Sequence, residues 1–379
     1  MKYVQDPPLC YAAFGEGATL TGSSSLFLRS DSETYLLLAT TSHSFSYRPP
    51  AFPSDHTAIR EQSLKMGSLL EPKEPKSTYL VGINVLHTIA PPMHDHVAQK
   101  VLHLPWTFTP QECPTVDTAM TLFRQPDFAG GLVTMPYKKS IMPRLDKLDD
   151  LCKIIGACNC VYLASDETGK KILRGTNTDW RGIKGCLTWA DPASAGLGKP
   201  ALIIGAGGAS RAAVYALSVD LNCSPIYVIN RDDGEVMELL SDVRNVTSVR
   251  AQSSPDIIHI KSPEQAMSLA SPYYIVGTTP DFEPITPDEI KARKILTAFL
   301  EKAEVRGVFL DMCYKPRVTR QIKLATRTGW TTVEGTGIIG HQIHENYRLW
   351  AGADLSEEEQ ESAWEVLREK AESSPGINF

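Results

Sequence analysis

The sequence predicts an α/β protein built from two lobes, with an added element at the N-terminus. Three observations predict this class. From Thr78 onward, apolar runs of strand length alternate with stretches of helical periodicity, as in α/β domains. Near residue 200 a second series of apolar runs begins, with the spacing of a parallel, doubly wound sheet. The chain of 379 residues is also long enough for two or three domains, each with its own core.

The N-terminal element is predicted to span residues 1–77. Two runs, SLFLRS (25–30) and TYLLLATT (34–41), flank the polar turn DSE and predict a β-hairpin. Residues 57–70 have the pattern of a short helix, and EPKEPKS (71–77) is a linker rich in proline and charge. No chemistry is assigned to this element.

The first lobe is predicted to span residues 78–182 and the second residues 183–337. In the first, the segments TYLVGINV and FAGGLVTM have the composition of strands, and MHDHVAQKVLHL (93–104) has helical periodicity. The second contains four buried runs that suit one parallel sheet. These predicted strands are PALII (200–204), IYVIN (226–230), YYIVGTT (273–279) and GVFLDM (307–312).

Two helices are predicted at the C-terminus, and residues 338–379 are expected to complete the first lobe. The first helix is IIGHQIHENYRLWAG (338–352) and the second is SEEEQESAWEVLREKAES (356–373). The second begins at Ser356 and continues with acidic residues, which favour a helix N-terminus.

Charge and composition exclude several classes of partner. With 38 basic and 44 acidic residues, the net charge is −6 and no basic patch is present, so neither nucleic acid nor an anionic membrane is expected to bind. No apolar run approaches the roughly 20 residues of a membrane span. The polar N-terminus has no signal peptide, and the eight cysteines contain no CxxC pair, as expected for a cytoplasmic protein with reduced thiols. The expected partner is a small molecule, and the expected assembly is a monomer or a homodimer.

Histidine and cysteine pairs raise the alternative of a metal site. Cys158 and Cys160 are separated by one residue, which is not the spacing of zinc sites. MHDH (93–96) and the pair His341 and His344 have helical spacing, but no carboxylate or cysteine has a matching position. We therefore predict no metal, with packed thiols and with histidines that are at the surface or hydrogen-bonded.

A glycine-rich turn joins a buried strand to an Ala-rich helix in ALIIGAGGASRAAVYAL (201–217). Glycines at 205, 207 and 208 let the backbone approach a pyrophosphate, whose charge is met by free amides and the positive end of the helix. Ser210 occupies the position of the third glycine of the usual motif. A tight structural turn is the alternative, but the flanking strand and helix are those that the motif requires. The sequence thus predicts a Rossmann-type dinucleotide-binding domain.

The next strand ends in VINRDD (228–233), where the contact to the adenosine ribose usually lies. Asn230 and Arg231 suit the adenine side or a 2′-phosphate, which favours NADP. Asp232 or Asp233 can accept from a free 2′-hydroxyl and repel a phosphate, which favours NAD. The expected cofactor is NAD or NADP, with a slight preference for NAD.

Seven motifs follow in order over residues 79–352: GGLVTMPYK, GACNCVY, RGTNTDWRG, GAGGASRA, INRD, DMCYKP and EGTGIIGHQ. In this order they resemble the shikimate and quinate dehydrogenases, and the fungal-type enzymes in particular. The resemblance covers about three quarters of the chain and leaves out the first 76 residues. It implies reversible NAD(P)-dependent oxidation of a ring hydroxyl of shikimate or quinate, with 3-dehydroshikimate or 3-dehydroquinate as the product.

The resemblance also implies roles for individual residues. The lysine of the family's N-V-T-x-P-[FY]-K loop is the catalytic acid/base and corresponds to Lys138, with Lys139 as its solvent-exposed neighbour. The preceding glycines and Pro136 are expected to fix this loop. The N-T-D aspartate corresponds to Asp179, which is expected to orient Lys138 and bind a ring hydroxyl. The implied substrate contacts are Thr88, Thr134, Asn159, Tyr314 and Gln342. The implied cofactor contacts are Gly205, Ala206, Gly207, Gly208, Ala209, Asn230, Arg231, Asp232, Thr278 and Gly335.

One segment departs from the family pattern. The carboxylate-binding segment G-N-P-I-x-H-S-x-S-P aligns with GINVLHTIAP (82–91), where Thr88 keeps the first hydroxyl and Ala90 lacks the second. A hydrogen bond to a charged group contributes about 1.5–3 kcal/mol, so the loss can change the preferred substrate. Two alternatives therefore stay open: a dehydrogenase for a related cyclitol or aminated ring, and a non-catalytic sensor of quinate metabolism. Retention of Lys138 and Asp179 favours an enzyme.

Overall fold

The computed structural model describes two short strands near the N-terminus and residues 73–250 and 255–379, with side chains for 73–243 and 255–379. The chain divides into two compact units, Met1–Leu69 and Leu70–Phe379. The second unit contains both of the six-stranded sheets.

In the first unit, β1 (Phe27–Ser30) and β2 (Glu33–Leu36) pair antiparallel. They lie where the sequence predicts a hairpin, with Phe27 opposite Leu36 in the register. The predicted helix at 57–70 lies outside the described residues.

The first six-stranded sheet has the strand order β4-β3-β5-β7-β8-β6. Its strands are β3 (Lys76–Gly82), β4 (Trp106–Glu112), β5 (Phe128–Val133), β6 (Lys147–Leu148), β7 (Cys160–Ser165) and β8 (Lys171–Thr176). β3 pairs parallel with β4 and β5, whereas β7 runs antiparallel to β5 and β8. The helices between these strands are α1 (Ala90–Asp95, continued by a π-helical turn His96–Val101), α2 (Val116–Phe123), the 3₁₀ turn Met142–Arg144 and α3 (Asp150–Ile155). This sheet is therefore mixed, with parallel strands on one side and a hairpin inserted beside β5.

The second sheet is parallel throughout, in the order β11-β10-β9-β12-β13-β14. Its strands are β9 (Ala201–Ile204), β10 (Ile226–Ile229), β11 (Ile257–His259), β12 (Tyr274–Gly277), β13 (Val308–Asp311) and β14 (Thr331–Val333). Numbered from β9 the order is 3-2-1-4-5-6, the topology of a Rossmann-type fold, and this confirms the predicted fold class. All four residues of β9, β10, β12 and β13 are buried, as in a parallel sheet covered by helices on both faces.

Further helices lie before, between and after these strands, and the last of them packs against α1. They are α4 (Asp179–Ala190), α5 (Gly208–Tyr215, continued by a π-helical turn Ala216–Asp220), α6 (Asp233–Arg250), α7 (Pro263–Ser268), α8 (Pro287–Lys302), α9 (Arg320–Arg327), α10 (Thr336–Ala351) and α11 (Glu357–Ser373). Among the described residues, none of the helices combines the length and the hydropathy needed to cross a membrane.

The two C-terminal helices form where the sequence predicts them. Ser356 caps α11 in a capping box with Glu359, which satisfies amides at the start of the helix. Helix α10 packs closely on α4, because Gly182 leaves room for Ile338. The indole of Trp350, near the end of α10, donates to the carbonyl of Val161 in β7 at 3.2 Å. Helix α10 thus connects α4 to the first sheet.

The two glycines of GGLVTM lie within β5, not in the loop that follows it. A Cβ on Gly130 would overlap the ring of Trp350, and one on Gly131 would lie 2.6 Å from Phe123. The expectation that these glycines fix the loop is therefore wrong. Glycine is needed at these two positions because aromatic side chains pack closely against the strand there.

Candidate active site

The loop after β5 brings Lys138 to Asp179. Tyr137 is buried and donates its hydroxyl to the carbonyl of Cys113 at 2.6 Å, which anchors the loop on one side of the lysine. The amide of Cys158 donates to the carbonyl of Lys138 at 2.7 Å. Lys138 Nζ then donates to Asp179 Oδ2 at 2.5 Å, although the two residues are 41 positions apart. The side chains are 15% and 6% exposed, so the ion pair is shielded from solvent but reachable.

A buried polar network surrounds the second oxygen of Asp179. Asn159 Nδ2 donates to Asp179 Oδ1 at 2.8 Å and also contacts Gln342 Oε1 at 3.2 Å. Thr178 donates its hydroxyl to the same Gln342 oxygen at 2.8 Å, and its amide donates to Asn159 Oδ1 at 2.6 Å. The structure thus brings together Asn159, Asp179 and Gln342, which the sequence singles out. The structure adds Thr178 to this group. Its position between two polar residues in RGTNTDWRG is the sequence feature that could have indicated it.

The other sequence-predicted substrate residues lie on neighbouring loops. Thr88 Oγ1 accepts from the amide of Ala90 at 3.2 Å and from the hydroxyl of Tyr314 at 3.4 Å, so the two hydroxyls stand side by side. Ala90 is 3% exposed and starts α1. Thr134 is half-buried, and its amide donates to the carbonyl of Val81 at 2.9 Å.

The glycine-rich turn fits a pyrophosphate. Gly205 has φ +117°, which an L side chain rarely adopts. A Cβ on Gly207 would meet no atom within 4 Å, so open space lies directly before the first turn of α5. A Cβ on Gly208 would lie 3.0 Å from Cβ of Lys138. The start of α5 therefore lies beside the stem of Lys138, whose amine pairs with Asp179.

The side chains beside this turn are joined to one another. Thr278 Oγ1 lies 2.8 Å from the hydroxyl of Ser210 and 2.9 Å from the carbonyl of Ile204. Gly335 precedes α10 in a place where a Cβ would overlap the carbonyl of Met312. Thr278 follows the central strand β12 and Gly335 follows the edge strand β14, so both predicted cofactor residues lie at the carboxyl ends of strands, where ligands of such sheets bind.

The residues after β10 have partners within the protein. Asp232 Oδ1 accepts from the amides of Gly234 at 2.7 Å and Glu235 at 3.2 Å, and so caps α6. Arg231 forms an ion pair of 2.7 Å with Glu289. Backbone amides and then this arginine lower the pKa of the Glu289 carboxyl to about 2. Asn230 donates to Glu235 at 2.8 Å. Asp232 and Arg231 are therefore both engaged within the protein, the first as a helix cap and the second in an ion pair.

Lys139 is partly exposed and forms ion pairs with helix α6. Its side chain is 37% exposed, and its Nζ pairs with Glu238 and lies 3.5 Å from Asp242 Oδ2. Both carboxylates belong to α6, which packs beside the second sheet. Lys139 is thus more exposed than Lys138, as expected, and its amine also pairs with an acidic helix surface.

The histidines and cysteines take structural positions. His94 is fully buried, and neither ring nitrogen has a hydrogen-bond partner among the described residues, so the expectation of a surface or hydrogen-bonded histidine is wrong for it. His341 packs edge-on against Trp364. Cys158 and Cys160 are free thiols buried in the protein. Within the part of the chain that the structure describes, no group of three or more possible ligands could hold a metal ion.

Comparisons with known proteins agree with this geometry. A family model described as the shikimate dehydrogenase substrate binding domain matches residues 80–161. A quinate dehydrogenase of Emericella nidulans is 36% identical over 298 residues, covering 74% of this chain and 89% of that protein. The structure of the dehydroquinate dehydratase and shikimate dehydrogenase from S. pombe AroM is 30% identical with a TM-score of 0.62, covering 82% of this chain and 55% of that chain. A shikimate dehydrogenase in complex with NADP⁺ is 25% identical with a TM-score of 0.57, covering 78% of this chain and 96% of that chain.

A Rossmann-type sheet whose first turn lies against a shielded lysine–aspartate pair defines an oxidoreductase of the NAD(P)-dependent class. The identity to the Emericella enzyme extends over most of both chains. This chain belongs to the shikimate and quinate dehydrogenase family.

Proposed function

We propose that this chain reversibly oxidises a ring hydroxyl of quinate or shikimate with NAD(P), forming 3-dehydroquinate or 3-dehydroshikimate. The observation that carries the proposal is the Lys138–Asp179 pair at 2.5 Å, packed against Gly208 of the dinucleotide turn. An acid/base group and a hydride-acceptor site are thus within one cluster. The 36% identity to a quinate dehydrogenase supports this class of substrate.

Oxidation of the alcohol moves a hydride from carbon and a proton from oxygen. The nicotinamide ring, when bound, accepts the hydride. Lys138 Nζ takes the hydroxyl proton, and in the reverse direction it returns that proton to the carbonyl oxygen. Its ammonium form also stabilises negative charge that develops on the oxygen. Asp179 orients the amine through Oδ2, and Asn159 fixes the other carboxylate oxygen at 2.8 Å.

Neutral polar groups fit the substrate ring. Asn159, Thr178 and Gln342 present donors and acceptors beside Asp179 for a polyhydroxylated ring. The adjacent hydroxyls of Thr88 and Tyr314 suit the carboxylate, and Thr134 completes the set on the lysine loop. A site of this kind rejects analogues that leave its polar groups unpaired.

We assign the pyrophosphate to the turn Gly205–Ala209 and the nicotinamide end to Thr278 and Gly335, with NAD preferred over NADP. The preference rests on Asp232, whose carboxylate is near the expected ribose position, and on Arg231, which is held by Glu289. In this assignment residues 78–182 and 338–379 bind the substrate, and residues 183–337 bind the dinucleotide.

A reduction assay with four combinations tests the function. Quinate and shikimate are each supplied with NAD⁺ and with NADP⁺, and formation of the reduced cofactor is followed by absorbance. We expect turnover with at least one of the two acids. Binding of an acid without any reduction would instead support a sensor, and turnover only with another cyclitol would correct the substrate.

The cofactor preference is tested by Asp232→Ser. Serine keeps an acceptor for the first amides of α6 and removes the negative charge. We expect the ratio of kcat/KM for NAD⁺ to that for NADP⁺ to fall about tenfold, because a fixed carboxylate repels a 2′-phosphate. An unchanged ratio in an equally stable variant would remove Asp232 from the cofactor site.

A further inference from the structure

Lys139, the residue after the proposed acid/base, links the loop after β5 to helix α6. Its Nζ pairs with Glu238 and lies 3.5 Å from Asp242 Oδ2. We propose that Lys139 is a positioning residue, which holds this loop against α6 and thereby fixes the amine of Lys138 relative to the dinucleotide turn. The inference rests on the proposed function, since it concerns the same reaction.

Asp242 is the shared anchor of this link. Its Oδ2 accepts from Arg211 Nε at 2.9 Å and also from Arg211 Nη2, while Lys139 Nζ lies near the same oxygen. Arg211 Nη2 is also 3.8 Å from Glu238 Oε2. Two carboxylates and two cations therefore form one network.

Arg211 extends the network to the dinucleotide turn. Its side chain is only 1% exposed, and Nη1 donates to the carbonyls of Ala206 at 2.9 Å and Gly207 at 3.2 Å. A buried guanidinium is strongly destabilised when it loses its carboxylate. Asp242 is therefore held in place by Arg211, and it offers Lys139 a fixed acceptor.

The two ends of the network are the two groups whose relative position decides the reaction. One end is the residue next to Lys138, and the other is the pair of carbonyls in the turn that fits the pyrophosphate. A displacement of roughly 1 Å between reacting groups can lower a rate about a hundredfold. Restraint of the lysine loop is therefore expected to act on turnover.

An ordinary surface ion pair is the alternative role for Lys139. Such pairs contribute little, and Glu238 is 58% exposed. Two features distinguish Lys139. It shares the acceptor Asp242 with the buried Arg211, and it joins the loop after β5 of the first sheet to helix α6 beside the second sheet. Lys153, which pairs with Asp150 three residues away in the same helix, offers a matched control.

The kinetic test uses Lys139→Met, which removes the charge and keeps an unbranched side chain. We expect kcat to fall about three- to tenfold while KM for the alcohol and the dinucleotide change less than about twofold. Lys139→Arg should restore most of the lost turnover. Lys153→Met should retain wild-type kcat.

A second readout needs no turnover. In the unliganded protein, hydrogen exchange of the Tyr137 and Ile141 amides, which donate within the loop at 3.0 and 2.9 Å, should be about three- to tenfold faster in Lys139→Met. Glu238→Gln should cause part of the same change. In the double variant Lys139→Met/Glu238→Gln, the loss of protection from hydrogen exchange should be smaller than the sum of the two single losses, because both substitutions remove the same interaction.

Unchanged kcat and exchange in Lys139→Met would overturn the proposal. So would a loss confined to KM, or an equal loss in Lys153→Met. Failure of the proposed function would give a different result, since the wild type would then reduce neither cofactor with either acid, whatever Lys139→Met does to hydrogen exchange.

Discussion

His94 is a buried titratable residue that the proposed reaction does not use. Its ring stacks on Phe108 with 4.0 Å between centroids, and it lies close to Tyr347 and Trp350. Burial lowers its pKa from 6.5 to about 3. The folded state therefore favours the neutral ring, and the stability that this gives is complete above pH 6.5 and is lost as pH falls toward 3.

We predict that His94 alone makes the free energy of unfolding fall by about 2 kcal/mol between pH 7 and pH 5. His94→Phe keeps an aromatic ring against Phe108 and removes two ring nitrogens that have no hydrogen-bond partner in the described part of the chain. Urea unfolding of both proteins at several pH values measures the difference. Parallel pH dependences of the two stabilities would contradict this account of His94.

At the scale of single residues, the sequence predicts which residues form the site better than it predicts the burial and ion pairs of their neighbours. Lys138, Asp179, Asn159 and Gln342 belong to ordered motifs, and the structure places them in one cluster. The burial of His94 and the ion pairs of Lys139 depend on which distant segments meet. Contacts between segments that are distant in the chain leave no local pattern in the sequence.

Strand β5 is the element that places the lysine loop, and its packing is tight. Gly130 lies against the indole of Trp350, so an added methyl group has no space. We predict that Gly130→Ala lowers the stability by about 1–3 kcal/mol, measured by thermal unfolding. The double variant Gly130→Ala/Trp350→Leu should lose less stability than the sum of the two single losses. An unchanged Tm in Gly130→Ala would contradict this packing.

The sequence predicts elements well where the pattern is strong. The runs that give β9, β10, β12 and β13 are continuous and apolar, and all four strands form. The hairpin β7–β8 is not among the predicted elements, because KILRGT mixes polar and apolar residues without a clear alternation, although only Lys171 is exposed. The role of Asp232 as a helix cap is also hidden, since a ribose contact and a cap favour the same residue type.

At the scale of the whole molecule, the described parts of the site lie within Leu70–Phe379, which is compact by itself. We predict that residues 70–379 produced alone fold and retain kcat/KM within about twofold of the full chain. Steady-state kinetics and thermal unfolding of the two proteins test this. An unfolded or inactive fragment would show that residues 1–69 contribute to the active unit.

The sequence predicts the fold class of the whole molecule because alternation of elements and the glycine turn determine a parallel sheet. It does not predict that the first sheet is mixed or that α10 connects α4 to β7. These features depend on packing between segments far apart in the chain, and the position of Gln342 follows from them.

The turnover of Lys138→Met tests the central claim most directly. Methionine fills the space of the lysine stem and has no proton to exchange. We predict that kcat falls about 10²- to 10⁴-fold, while the affinity for the dinucleotide stays within about twofold of that of the wild type. Turnover within tenfold of the wild type would contradict the assignment of Lys138 as the acid/base.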